Sequence, residues 1–174
     1  MTGGKVEEKF EVVEKTWTKK NEDEWDDDRY YHENVDKSEY NVVLYKNNKG
    51  DIVKVEVKQY EYECEKMYDE LNENYEDYYC REFKNILTFD LYSFKKYVRI
   101  IDYTYLLEQE DEYDNDEGSE KTVVILFNDR KLIEDFVKNV VDRFNQIKDK
   151  TLEVKDLCTY IVDFCDKIYN EFIE

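Results

Sequence analysis

A chain of 174 residues with a formal net charge of −19 is the length of one domain, and its charge excludes a conventional binder of DNA, RNA or anionic membrane. Charged residues make up 41%, but so do apolar ones, aromatics reach 16% and proline is missing, which excludes a disordered chain or long flexible linkers. No apolar run approaches the roughly 20 residues of a membrane span, and Met1–Lys5 leads straight into charged sequence, so the protein is expected in the cytoplasm, that of an infected host cell included.

Residues 5–18 read as a strand with one irregularity, on the strength of Phe10, Val12 and the Thr16-Trp17 pair. Residues 21–28 hold six acids (Glu22, Asp23, Glu24, Asp26, Asp27 and Asp28) and no base, which predicts a loop or an exposed edge. Residues 39–46 and 52–62 are rich in Val and Tyr and flank Asn47-Asn48-Lys49-Gly50-Asp51, a hairpin signal. Val53, Val55 and Val57 share one face, whereas Tyr60 and Tyr62 take the other parity, which predicts a bulge or a face switch near Lys58-Gln59.

Over residues 64–82 the period changes. Cys64, Met67, Tyr68, Leu71, Tyr75 and Tyr78 recur at three and four, which predicts an amphipathic helix in mid-chain. Its outer face then carries Glu65, Asp69, Glu73 and Glu76, flanked by Glu70 and Asp77. Carboxylates four apart on a helix repel by a few tenths of a kcal/mol, roughly, per pair. A row of acids kept against that repulsion points to a binding surface, with a merely solvated face as the competing explanation.

Residues 86–107 return to strand character. Residues 108–120 hold eight acids, Glu110, Asp111, Glu112, Asp114, Asp116 and Glu117 among them, and no base, which predicts a second acidic loop. Lys121–Phe127 reads as a central strand. Asn128 and Asp129 are placed to cap a helix with Leu132, Ile133, Phe136, Val137, Val140, Val141, Phe144 and Ile147 inward. Thr151 is placed to cap a second, with Leu157, Ile161, Phe164, Ile168 and Phe172 inward. The fold class that follows is a single α+β domain over residues 1–174: a largely antiparallel sheet, a central acidic helix and an antiparallel helical hairpin over 128–173.

The four cysteines, Cys64, Cys80, Cys158 and Cys165, read as small buried hydrophobes. With one histidine, His32, expected on a polar loop, and no C-x-x-C spacing, no metal site or cofactor is expected. Glu56-Val57-Lys58, shortly after Asp51, resembles the core of metal-dependent nucleases, but E-x-K arises easily in so charged a chain and the basic approach for a substrate is missing. Asp114–Gly118 fails the calcium-loop pattern, because Tyr113 stands where the first carboxylate belongs. No catalytic residue is assigned.

The acidity is local. Residues 61–82 carry nine acids against Lys66 and Arg81, and outside this segment and the two acidic ones described above the chain is close to neutral. Seventeen tyrosines, many beside those acids, add rigid amphipathic contact surface. In size and composition the chain resembles the DNA-mimic inhibitors that viruses and mobile elements use against restriction and CRISPR enzymes. That resemblance implies a non-enzymatic inhibitor of anti-CRISPR or anti-restriction type. Its acids would meet a basic protein surface, the groove of a nucleic-acid enzyme, without binding nucleic acid or membrane directly. The alternatives are an assembly factor or chaperone for a basic protein, and a Mg²⁺-dependent nuclease using Glu56 and Lys58.

Overall fold

Six long strands run back and forth in chain order, and two helices follow. The computed structural model describes residues 10–71, 76–91, 97–110, 113–126 and 130–172. The strands are β1 (Glu11–Asp27), β2 (Tyr30–Lys46), β3 (Ile52–Asp69), β4 (Glu76–Asp90), β5 (Tyr97–Glu110) and β6 (Tyr113–Leu126). Helices α1 (Arg130–Gln146) and α2 (Glu153–Phe172) complete the chain order. Every neighbouring pair is antiparallel, and the sheet order equals the sequence order, so β1 and β6 are the edges.

Length decides the architecture. Strands of 14 to 18 residues extend roughly 45–60 Å. Helices of 17 and 20 residues extend about 25–30 Å. The helices therefore cover one face at one end of the sheet, and the strands run on beyond them. Under the helices the sheet is apolar: Val42, Leu44, Val55, Val57, Leu87, Phe89 and Ile100 are buried against Ile133, Phe136, Val140, Leu157, Ile161 and Ile168. Phe136 is the hub. Its ring stacks on Phe164 at 3.7 Å and lies 5.1 Å from Phe89.

Polar groups fasten the helices to the edge strand. Lys15 donates to the carbonyls of Phe144 and Ile147, at the negative end of α1. The Thr16 amide, on the open edge of β1, donates to Asp149 at 2.8 Å. Cys158 and Cys165 are buried in α2, and burial pushes the Cys158 thiol up to about 12.

The Asn47–Asp51 hairpin forms as its residues dictate. Asn47 Oδ1 accepts from the amides of Lys49 and Asp51 at 3.0 and 2.9 Å, and Gly50 adopts a φ of 84°, where a Cβ would be strained.

The expected fold class is overturned, because a six-stranded antiparallel sheet dominates and there is no central helix among the described residues. Residues 64–69 complete β3 and residues 76–82 open β4. The apolar spacing of three and four is a coincidence of a hairpin. It loses to a ladder in which β3 pairs along its length with both β2 and β4. Cys64 and Cys80 consequently stand directly opposite one another, Cα atoms 4.0 Å apart and sulfurs bonded, instead of at two ends of a helix. Residues 21–28 lie mostly in edge strand β1, and the described part of 108–120 is ladder between β5 and β6 rather than loop. Lys121–Leu126 belongs to an edge strand, not a central one. No bulge interrupts β3 at Lys58-Gln59; the register shifts at Tyr45/Lys46. Tyr60 and Tyr62 take the opposite parity because the sheet has outrun its helices there, so neither face is obliged to be apolar. The Thr151 hydroxyl donates to the Lys148 carbonyl and does not cap α2 with its side chain. Asn128 and Asp129 lie outside the described residues.

Candidate binding surface at the acidic end of the sheet

A meander sends alternate turns to opposite ends. The β2–β3 turn lies at the helix-covered end. The strand ends linked in sequence between β1 and β2, β3 and β4, and β5 and β6 all lie at the other end. Each acidic segment contains one of these three connections, so segments far apart in sequence meet. The register makes this specific. Asp23, Asn34, Glu65, Tyr79, Glu110 and Tyr113 stand in one row across all six strands. Asp23, Glu65 and Glu110 come from the three different segments, occupy the same face, and are all exposed. Alternate strands place them roughly 10 Å apart.

Side-chain alternation sorts the remaining acids. Asp27, Asp69, Asp77 and Glu117 share the face of that row, the face the helices cover at the other end. Glu22, Glu24, Asp26, Asp114 and Asp116 stand at positions of the opposite face, and Glu76 pairs with Tyr68 at the start of β4. Asp28 is exposed in the first turn. Glu73, Asp111 and Glu112 lie outside the described residues. Asp69 is the exception to a recognition role. It is buried, accepts from Arg29 Nε and Nη2 at 3.0 and 2.7 Å, and also accepts from the Leu71 amide. It ties the first turn to β3. Glu70 and Asp26 lie close enough that a hydrogen bond between them raises the Glu70 carboxyl above its ordinary value.

Two of the three acidic segments have a structural reason to be charged. Residues 22–27 and 113–117 belong to the edge strands, and like charge there prevents edge-to-edge pairing with a second sheet. The acids of β3 and β4 sit in the middle of the sheet, where edge protection does not apply.

The sheet beyond the helices holds together laterally. Tyr60 donates to Glu82 at 3.0 Å, and burial together with that bond pushes its phenol up to about 12. Tyr31 is pushed to about 12 chiefly by its hydrogen bond to Glu24. Lys84 lies 5.8 Å from the Tyr60 ring and 6.0 Å from Tyr105, and Lys37 lies 5.7 Å from Tyr62. Cross-strand pairs of this kind stabilise a sheet wet on both sides.

The nuclease-like residues are placed differently from a metal site. Lys54 and Lys58 both approach Glu56, at 3.9 and 3.4 Å, and Asp51 is exposed in the turn. The calcium-like residues 114–118 are paired strand. Among the described residues no three His, Cys, Asp or Glu side chains converge as a metal site, and no helix is long and apolar enough to cross a membrane.

His32 is in strand β2, not a loop. Its ring stacks on Trp25 at 4.9 Å and 10° between planes, and its Nε2 is buried with no hydrogen-bond partner among the described residues. Sequence reasoning misses this pair, because only the β1–β2 register makes positions 25 and 32 partners. Known protein families, characterised proteins and solved structures yield no match to this chain.

Proposed function

We propose that this chain is a non-enzymatic binding protein. It sets the acidic end of its sheet against the Lys- and Arg-lined groove of a nucleic-acid enzyme and competes with the nucleic acid for it. The observation that carries this reading is the row in which Asp23, Glu65 and Glu110 align from three separate acidic segments. Edge protection does not call for the central member, Glu65. Carboxylates carried on a paired sheet meet a basic surface with their backbone already ordered, which lowers the entropic cost of binding. Their summed field speeds encounter with a positive groove. A restriction or CRISPR enzyme is the class of target that fits an acidic mimic of this size, and the cytoplasm is where the two would meet.

The experiment is a competition. Protein captured from lysate on the immobilised chain at about 0.1 M salt, where the Debye length is ~10 Å, should be released by excess duplex DNA or structured RNA and by a salt step. The isolated chain should not itself shift duplex DNA in a gel. Captured protein that nucleic acid leaves in place would favour an assembly factor instead, and direct DNA binding would overturn the reading.

A further inference from the structure

On the same face as the acidic row lies a cleft of about 350 Å³ bounded by Trp25, His32, Met67, Glu65, Asp77 and Tyr79. It crosses strands β1 to β4. Lys66 and Tyr78 also line it, but at positions of the opposite parity, so strand alternation sends their side chains to the other face. What remains is an aromatic wall, a thioether floor, carboxylates and the Asn34 carboxamide, a combination that suits a cation with an apolar stem.

Two observations narrow the ligand. Trp25 keeps 44% of its surface exposed although its ring stacks on His32, so an indole held in place by its neighbour is open to a partner. Glu65 is exposed at the cleft and belongs to the row that unites the three acidic segments. A planar guanidinium stacks on an indole and offers several N–H donors in a fixed fork, whereas an ammonium is a compact, strongly hydrated point charge.

We infer that the cleft receives an arginine side chain of the basic partner, its guanidinium against the Trp25 indole and its N–H groups on Glu65. Asp77 adds negative charge to the site, and Met67 receives the methylene stem. This inference rests on the reading of a basic partner and adds a chemical preference, arginine over lysine, that charge alone does not create.

The test uses fluorescently labelled nona-arginine and nona-lysine, two peptides of equal length and charge, titrated by anisotropy against the full chain. The native chain should bind nona-arginine roughly three- to thirtyfold more tightly than nona-lysine, the range of a cation–π contact. Trp25→Ala should reduce that ratio to near one while leaving nona-lysine affinity in place. Glu65→Gln, at an exposed position, should weaken both peptides alike, because it removes charge and leaves the indole in place. An arginine preference that survives Trp25→Ala would overturn the cleft assignment and leave the acidic end as a binding surface. If the native chain bound neither peptide, both this inference and the proposed function would fall.

Discussion

Phe136→Ala is expected to cost about 3–5 kcal/mol of folding stability. The residue is 2% exposed and touches both layers of the core: Phe164 at 3.7 Å and Tyr160 at 6.1 Å on α2, and Phe89 at 5.1 Å on β4. Removing its ring leaves a cavity between two helices and a sheet, and no neighbour can fill it without losing its own packing. For a chain this size each kcal/mol moves the melting temperature by about 2–4 °C, so the shift should be plain in a thermal melt. The effect is large because the helices bury most of the apolar core at one end only. A variant that melts like the native protein would mean that α1 does not seal this core.

The second large effect is on association. Asp23→Asn, Glu65→Gln, Glu110→Gln and Asp114→Asn together remove four exposed charges drawn from all three acidic segments. None is an internal anchor of the kind Asp69 is, with its bonds to Arg29. Folding should hold steady or improve as like charges separate. The rate of association with protamine, an arginine-rich probe, should fall roughly tenfold or more at low salt, and its salt dependence should flatten. Stopped-flow kinetics at two ionic strengths measure both. Unchanged kinetics in a folded quadruple variant would assign the acids to solubility and edge protection alone.

These two expectations separate the ends of the molecule, and the same division explains what the sequence can and cannot reveal. Helix faces such as Ile133, Phe136, Val140 and Phe144 are legible because one side packs and the other is wet, which prints a 3.6-residue period. The Asn47–Gly50 turn is legible because its chemistry is local. Beyond the helices both sides of the sheet are wet, so period-two alternation disappears. Residues 64–82 then show only a spurious helical spacing, and the placement of Cys64 opposite Cys80 depends on register that no local pattern encodes. Seven aromatic residues between Tyr60 and Phe83, all of strand-forming type, are the signal that favours a hairpin there. The acids themselves are fully legible. Their convergence is not, since it follows from the order β1 to β6 in the sheet.

That convergence is most directly tested by mapping the backbone amides of the ¹⁵N-labelled chain while protamine is added. Perturbation is expected to centre on Asp23, Asn34, Glu65, Tyr79 and Glu110, whose positions are neighbours only through the sheet, with the amides of Arg130–Phe172 unmoved. Perturbation centred on the helices, or spread evenly over the chain, would contradict it.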